Sequence, residues 1–279
     1  MLQLLLLQVL ASCLWLGHSE VVTSFESCPQ FFYEGAPPDA VLEPQKPEHR
    51  ARICQRYRNA YRFATLYDRK RRIPVYSAYI YKPGTVKKPH KWWYVEPQLI
   101  GKNNLTEMER ESVLIDHYDF TLDQIKQSQA VLEDYNQLIG LDRGYLNPSG
   151  HQDSIDSKTA TFTLTNIVPL YNSLYIGQWN TYEFTTMREK SEGCTTTYVI
   201  TGAVPGKTYV AQGRVNRPSH IWLAACCLVG TETTKTWGAI AENDKNHVQN
   251  LSLGELEARL TELYDGRKVT LFNNACPRQ

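Results

Sequence analysis

The stretch TFTLTNIVPLYNSLYIGQWNTYE, residues 161–183, changes its periodicity halfway along. Its first half alternates between apolar or β-branched residues and polar ones and ends at Pro169, which predicts a β-strand. In its second half aromatic residues recur at helical spacing, which predicts a helix from about Tyr175 to Glu189. A strand followed directly by a helix is therefore the local unit from which the fold can be built.

Strand patterns dominate the rest of the chain. The other predicted strands are RIPVYSAYIY (72–81), KWWYVEPQL (91–99), TTTYVITGAV (195–204), HIWLAACCLV (220–229), TWGAIAEN (236–243) and KVTLFNN (268–274). The segment SLGELEARLTELY has a capping box at Ser252 and Glu255 and leucines at helical spacing, which predicts another helix. Many strands with irregularly placed helices predict an α+β fold with a mostly antiparallel central sheet and flanking helices.

The chain opens with the uncharged apolar run MLQLLLLQVLASCLWLGHS, which ends in small residues. This pattern is typical of a secretory signal peptide, and we expect residues 1–19 to be removed so that the mature chain starts at Glu20. The run is short for a membrane span, so we expect a secreted, extracellular protein without stable membrane insertion after cleavage. A length of about 260 residues without repeats favours a single domain over residues 20–279.

Of the seven cysteines, Cys13 belongs to the predicted leader and six remain. An even number in an oxidising compartment predicts three disulfides, whose pairing the sequence leaves open. Neighbours in a strand point to opposite faces, so Cys226 and Cys227 are expected to bond different partners. The alternative is a zinc site, but the sequence has no C-x-x-C pair with matching histidines. Sequons at Asn104 and Asn250 fit a glycoprotein.

Basic residues are concentrated between Arg50 and Arg72, although the formal net charge of the whole chain is only +1. Such a block can bind nucleic acid or another polyanion, and its densest part contains Arg69, Arg71 and Arg72. The alternative is a solvated face whose arginines form ion pairs within the fold.

A second motif is LDRGYLNPSG, residues 141–150. Together with the 161–183 stretch and YVITGAVP (198–205), this motif resembles the DNA/RNA non-specific endonucleases, secreted nucleases of the ββα-metal or His-Me finger class. The segments CPQFFYEGAPP, ICQRYRNAYRFATLYDRKRRIPVYSAY and WLAACC extend the resemblance over nearly the whole mature chain. The resemblance implies a nuclease fold with a ββα-metal motif, Mg²⁺ as the cofactor and nucleic acid as the partner.

The resemblance also implies a mechanism. In such nucleases a histidine takes a proton from the attacking water, and an asparagine at the start of the following helix holds a hydrated magnesium ion. An arginine neutralises developing charge, and a glutamate later on the helix holds the metal's waters. Arg143 falls on the signature arginine and Glu183 on the helix glutamate. Asn166 falls on a family asparagine, which we interpret as structural or as an indirect support of the metal site.

Two positions depart from the family pattern. Tyr145 stands where the general-base histidine belongs, and Tyr175 stands where the magnesium asparagine belongs. A phenol has a pKa of about 10, so at pH 7 only about one molecule in a thousand is ionised. A neutral phenol is also a poorer magnesium ligand than an amide carbonyl. His151 lies beyond a proline and a glycine and is expected to be a surface residue rather than a replacement base.

We therefore expect a protein that resembles an endonuclease and binds nucleic acid or another polyanion, with weak or no hydrolysis. Two alternatives stay open, an active Mg²⁺-dependent DNase/RNase with a rearranged site and a protein-interaction scaffold. The candidate residues are Arg143, Tyr145 and Glu183 for catalysis, Tyr175 and Asn166 for the metal, and Arg69, Arg71, Arg72 and Arg143 for nucleic acid.

Overall fold

The structure is a computed structural model that describes residues 20–279, except residues 88, 90, 91, 137 and 273–275. The predicted signal peptide, residues 1–19, lies outside the described residues. Within the described part of the chain, no helix has both the length and the apolar character that crossing a membrane requires.

Twelve strands and several short helices follow one another along the described chain. The strands are β1 (Val21–Val22), β2 (Arg50–Tyr57), β3 (Ala60–Asp68), β4 (Ile73–Ile80), β5 (Leu141–Tyr145), β6 (Ile167–Tyr171), β7 (Thr196–Val204), β8 (Thr208–Val210), β9 (Val215–Arg217), β10 (His220–Val229), β11 (Glu232–Glu242) and β12 (Gln249–Leu251). The helices are α1 (Pro97–Ile100), α2 (Glu111–His117), α3 (Leu122–Ser128), α4 (Ile155–Ala160), α5 (Asn172–Tyr175), α6 (Gln178–Thr181), α7 (Met187–Lys190) and α8 (Leu253–Leu263), with a π-helical turn at Tyr182–Thr186. Single 3₁₀ turns lie at Phe25–Ser27, Pro29–Phe31, Tyr33–Gly35, Ala40–Leu42, Pro47–His49, Leu132–Tyr135, Ser149–His151 and Leu164–Asn166.

An antiparallel sheet of eight strands, in the order β1-β2-β3-β4-β7-β10-β11-β12, forms the centre of the molecule. Two further strand pairs, β5–β6 and β8–β9, lie outside this sheet. The α+β fold with a mostly antiparallel central sheet is therefore confirmed.

The central sheet is buried on both faces, which explains why β10 is apolar along nearly its whole length. Trp222 and Cys226 of β10 belong to one core layer, together with Leu256 of α8. Leu223 and Cys227 belong to the opposite layer, which also contains residues of β5, β6 and the helical segment 172–190. The candidate site is built on this second face.

Three disulfides form, as predicted, and they are Cys28–Cys54, Cys194–Cys227 and Cys226–Cys276. The adjacent cysteines of β10 bond different partners because alternate residues of a strand point to opposite faces of the sheet. Each of these two disulfides therefore lies on its own side of the sheet.

The predicted helix at Ser252 is confirmed, with the full capping box between Ser252 and Glu255. The predicted strand 91–99 is wrong, because only Tyr94 and Val95 make isolated bridges before α1 begins at Pro97. In 268–274 no strand forms over the residues described, and the last two residues lie outside the description. The basic block, for which no strands were predicted, folds into β2 and β3.

The strand predicted from the 161–183 stretch begins later than its alternation suggests, at Ile167. Before it, the hydroxyls of Thr163 and Thr165 donate to the buried carboxylate of Glu96. The backbone there pairs with Tyr94, whose N–H donates to Phe162 and whose carbonyl accepts from Leu164. Residues 161–166 have the alternating pattern of a strand, but their polar side chains bind a buried carboxyl group and the segment does not form a regular strand.

Candidate active site

The strands β5 and β6 form an antiparallel hairpin that leads directly into the helical segment 172–190, which is the ββα arrangement. Arg143 pairs with Pro169 and Tyr145 with Ile167, so both side chains leave β5 on the same face. Gly144 lies between them, and a Cβ there would come within 2.3 Å of the Leu170 side chain. The glycine of the signature is therefore required by the close approach of β6.

Tyr145 is buried in a group of aromatic rings. Its ring stacks on Trp93 at a centroid distance of 5.9 Å and meets the edge of Phe162 at 5.8 Å. Burial raises the pKa of the Tyr145 hydroxyl above its ordinary value, and the nearby Arg143 offsets this only in part. The Tyr145 phenol, at the position where the resemblance implies a general base, is therefore neutral at physiological pH and is not suited to accept a proton from water.

Tyr175 ends α5 and packs, partly buried, against the same core layer. Burial raises the pKa of its hydroxyl, and the neighbouring Glu183, Tyr145 and Asp142 raise the pKa further. These electrostatic neighbours show that the positions of the base, the metal ligand and the helix glutamate do converge. The group that stands at the metal position is an uncharged phenol.

Glu183 lies in the π-helical turn and is only 3% exposed. Its Oε1 accepts a hydrogen bond of 2.9 Å from the indole nitrogen of Trp179, one turn earlier. Burial raises the pKa of Glu183 to about 8, although the hydrogen bond from Trp179 works in the opposite direction. The carboxyl is therefore mostly protonated at pH 7, whereas holding the waters of a metal requires a carboxylate.

The prediction that His151 lies on the surface is wrong, because its side chain is 1% exposed. Its Nε2 lies 2.8 Å from the backbone carbonyl of Glu183, which can only accept, so this nitrogen carries the proton. Its Nδ1 then accepts from the hydroxyl of Tyr79 at 3.0 Å. Burial lowers the pKa of His151 to about 4. The histidine therefore ties the hairpin loop to the helix as a neutral ring, and neither nitrogen is available as a base.

Asn166 is fully buried, and both ends of its amide are used within the fold. Its Nδ2 donates to the carbonyls of Asn147 and Thr161 at 2.9 and 3.0 Å. Its Oδ1 accepts from the hydroxyl of Ser77 at 2.9 Å and from the backbone N–H of Asn147 at 3.0 Å. These four hydrogen bonds fix the loop that precedes β6. They favour a structural role for Asn166.

Whether Mg²⁺ can bind here depends on the oxygen atoms that Tyr175 and Glu183 offer. The ion prefers charged or carbonyl oxygens in octahedral geometry and retains most of its waters. Tyr175 offers a neutral phenol, and Glu183 offers a buried, mostly protonated carboxyl that already binds Trp179. Among the residues that the structure describes, no group of three or more His, Cys, Asp or Glu could hold a metal ion. The residues present do not fit a hydrated magnesium ion.

Arg143 is the signature residue that keeps hydrogen-bonding capacity. Its guanidinium lies over the ring of Trp93 at 5.0 Å and near the ring of Tyr135 at 5.9 Å. One Nη donates to the Tyr135 carbonyl at 3.3 Å. Its Nε is buried and has no hydrogen-bond partner among the described residues. The side chain as a whole is partly exposed, and an exposed guanidinium is suited to a phosphate oxygen.

The described ends of the segment 82–93 lie beside the site, which the sequence did not predict. The backbone N–H of Lys82 donates to the His151 carbonyl at 2.9 Å, and Trp93 stacks on Tyr145. The described lysines of this segment, Lys82 and Lys87, are exposed. Trp92 is 57% exposed, with the guanidinium of Arg110 5.1 Å from its ring. The sequence KPGTVKKPHKWW (82–93), rich in lysine and tryptophan, could have indicated a polyanion-binding segment, but its last three residues were included in a predicted strand.

The densest part of the basic block lies at the β3–β4 turn, where its arginines bind acceptors of the chain itself. Arg71 forms an ion pair of 2.8 Å with Asp68. Arg69 donates to the Leu99 carbonyl at 2.8 Å, and Arg72 donates to the Lys126 carbonyl at 3.1 Å. The remaining ion pairs of the block are Arg50 and Arg52 with Glu43, Arg56 with Glu107, and Arg58 and Arg62 with Asp156. Nucleic-acid contact by Arg69, Arg71 and Arg72 stays a prediction, and their bonds within the fold favour a structural role.

This chain belongs to the DNA/RNA non-specific endonuclease family, whose sequence pattern it matches over residues 45–278. The resemblance seen in the sequence is thereby confirmed. The endonuclease domain-containing 1 protein of Homo sapiens is 35% identical over 215 residues, which are 75% of this chain and 40% of that protein. The Mus musculus protein of the same name is 32% identical over 258 residues, 90% of this chain and 48% of that protein. The chain thus spans less than half the length of these relatives.

Among solved structures, the crystal structure of the EndoG/EndoGI complex is similar to this chain with a TM-score of 0.49 and 16% sequence identity. The match covers 76% of this chain and 83% of that chain.

Proposed function

We propose that this chain binds nucleic acid, or another polyanion of similar charge density, with weak or no hydrolysis. One observation carries the proposal. At the positions that the family resemblance assigns to catalysis, both phenols are neutral and partly or wholly buried and the glutamate is mostly protonated, whereas the guanidinium of Arg143 is partly exposed. The site has therefore kept the group that suits binding and replaced the groups that suit cleavage.

The expected loss of hydrolysis follows from the size of the missing effects. General acid–base help contributes about 10²–10⁴-fold to a rate. A metal ion that stabilises the charge of the transferring group contributes several kcal/mol more. Tyr145 and Tyr175 remove both effects, and His151 does not replace them, because both of its ring nitrogens are engaged.

The expected binding surface combines Arg143 with the adjacent segment from Lys82 to Trp93. Lysines and arginines that neutralise phosphates give affinity that depends steeply on salt, because bound counterions are released. The exposed Trp92 ring beside Arg110 can stack on an unpaired base. We therefore expect single-stranded nucleic acid to bind at least as well as duplex.

We also place the protein outside the cell. Three disulfides in a chain of this size are typical of an oxidising compartment. The asparagines of both sequons, Asn104 and Asn250, are exposed, so a glycan can be attached to either without unfolding the chain. Treatment with a glycosidase that removes N-linked glycans should lower the mass of the secreted protein.

The experiment for binding is a salt titration of the mature protein with labelled single-stranded DNA, RNA and heparin. The double variant Lys82→Glu/Lys87→Glu should weaken binding by about ten-fold or more and flatten the salt dependence. The matched control is Lys46→Glu/Lys268→Glu, which changes the charge equally at two exposed lysines elsewhere on the surface. Equal weakening by both double variants would show that net charge, and not this surface, determines binding.

A further inference from the structure

Two carboxyl side chains, Glu20 and Glu96, lie together in the interior, and both have zero exposure. Oε1 of Glu96 accepts from the hydroxyls of Thr163 and Thr165 at 2.6 and 2.8 Å. By distance and angle, Oε2 of Glu96, both carboxyl oxygens of Glu20 and the amide oxygen of Gln55 accept no hydrogen bond from the described residues, although the Glu20 carboxyl lies against that of Glu96 and near the backbone N–H of Arg56. Buried oxygens without donors are costly, so this cluster needs a positively charged or donating group.

The surroundings of the cluster add mostly negative charge. Burial and then the proximity of Glu96 raise the pKa of Glu20 well above its ordinary value, and Glu107 raises it slightly further. The backbone N–H of Arg56 works in the opposite direction, whereas the guanidinium of Arg56 contacts Glu107 at 3.8 Å. Tyr61, whose own pKa is raised by burial, is the other titratable group beside Glu20.

The backbone nitrogen of Glu20 is held at this same place. The N–H groups of Glu20 and Val21 both donate to Oε1 of Gln98 at 3.0 Å. The carbonyl of Glu20 accepts from the N–H of Cys54 at 2.8 Å, and Val21 pairs with Ile53 in the sheet. The main chain at Glu20 is therefore fixed between the sheet and the acceptor oxygen of Gln98.

We propose that removal of the leader before Glu20 creates an α-ammonium group in this pocket, where it becomes the counter-charge of the Glu20 and Glu96 carboxyls. Hydrolysis of the peptide bond between Ser19 and Glu20 by a leader-removing protease consumes one water. It leaves a carboxylate on the departing leader and an amine on Glu20, which takes up a proton because the ordinary pKa of an α-amino group is about 8. A neutral amide is thereby exchanged for a cation beside two carboxyls.

The cluster connects the new N-terminus to the ββα motif. Glu96 binds Thr163 and Thr165, and the next residue, Asn166, fixes the loop before β6. An ammonium group that stabilises Glu96 as a carboxylate strengthens both hydroxyl bonds, because bonds to a charged acceptor are stronger. Leader removal therefore stabilises the loop that leads into β6 of the ββα motif. This inference does not depend on nucleic-acid binding.

The test compares two secreted forms of the protein. One is processed by its own leader to begin at Glu20, and the other carries Gly-Ser before Glu20, which moves the amine away by two residues. At neutral pH the form that begins at Glu20 should melt about 4 °C or more higher. Pairing with carboxyls raises the pKa of an amine, so we expect the contribution of the ammonium group to be fully present below about pH 8 and to be lost as pH rises through the raised value.

The matched control is Glu96→Gln in both forms, which should shrink the difference in melting temperature. If the extension acted only by crowding, the difference would persist in the Glu96→Gln pair, and the proposal would be wrong. Equal melting temperatures of the two wild-type forms, or an N-terminus other than Glu20 in the processed protein, would also overturn it. So would stabilisation of both forms by calcium that Glu96→Gln abolishes, because the counter-charge would then be a divalent cation.

A second measurement needs no variant. An amine-reactive reagent should leave the N-terminal amine of the native protein unlabelled, because Glu20 is fully buried, while it labels the exposed Lys82. After unfolding, both amines should react. Rapid labelling of the Glu20 amine in the folded protein would contradict a buried ammonium group.

Discussion

Tyr145, Tyr175 and Glu183 show what single residues of the sequence can and cannot reveal. The two phenols are visible in the sequence, where the family resemblance assigns each of them to an expected catalytic position. The protonated state of Glu183 is not visible, since it depends on burial beneath a helix whose turn also supplies the indole of Trp179. The burial of His151 was likewise missed, because its partners Tyr79 and the Glu183 carbonyl are distant in sequence.

The first prediction concerns the charge of Glu183. Its folded pKa of about 8 is above the ordinary value of 4.5, so its contribution to stability is fully present below about pH 4.5 and is lost as pH rises to about 8. Between these two pH values the free energy of unfolding should fall by roughly 1.4 kcal/mol per pH unit from this group alone, and above about pH 8 the fall should end. Glu183→Gln keeps an acceptor for Trp179 but does not ionise, so the fall should disappear.

The measurement is urea unfolding of wild type and Glu183→Gln at several values between pH 5 and about pH 9. The matched control is Glu262→Gln, at an exposed glutamate of α8 that forms a surface ion pair with Arg259. Parallel stability curves for wild type and Glu183→Gln would mean that Glu183 is ionised in the folded protein.

At the scale of elements, the sequence predicted the strand-to-helix unit and the α8 helix but not their bounds. The predicted continuous helix of 175–189 begins earlier, at Asn172, and contains a π-helical turn at Tyr182–Thr186. The alternation before Pro169 predicted a strand that is longer than β6. Periodicity alone does not reveal that Thr163 and Thr165 bind the buried carboxyl group of Glu96. Side-chain hydrogen bonds over long sequence distances therefore explain the errors.

The second prediction concerns the loop that positions β6. Asn166→Ala removes four hydrogen bonds and leaves buried backbone groups of Asn147 and Thr161 without partners. The free energy of unfolding should fall by about 3 kcal/mol or more. The matched control, Asn172→Ala, changes an exposed asparagine of the same motif and should cost less than about 0.5 kcal/mol. Similar losses for the two variants in urea unfolding would exclude the structural role assigned to Asn166.

At the scale of the whole molecule, the sheet is buried on both faces and divides the chain into a site face and a face covered by α8. The sequence predicted this in part, since β10 is continuously apolar and its adjacent cysteines had to bond different partners. It left the partners open, because the pairing of Cys227 with Cys194 and of Cys226 with Cys276 depends on which segments cover each face. The sequence also did not show that described residues of 82–93 lie beside the candidate site, because this too depends on which segments cover each face of the sheet.

The central claim is that the protein has kept the fold of its family and Arg143 for binding. Tyr145 and Tyr175, at the expected catalytic positions, pack against the core instead. Restoring the family residues with Tyr145→His/Tyr175→Asn should raise metal-dependent cleavage, and either change alone should do much less, because base and metal act on one water and one phosphate. The double variant should also be less stable, since it removes two buried rings, so its folding must be verified first.

The measurement that tests the claim most directly is digestion of plasmid DNA and RNA by the purified wild-type protein with magnesium, manganese and calcium. We expect binding without metal-dependent cleavage in the wild type and in Glu183→Gln, and weaker binding, again without cleavage, in Arg143→Ala. Robust magnesium-dependent nicking by the wild type that is lost in either variant would contradict the claim, and would show that this site cuts by using a different base.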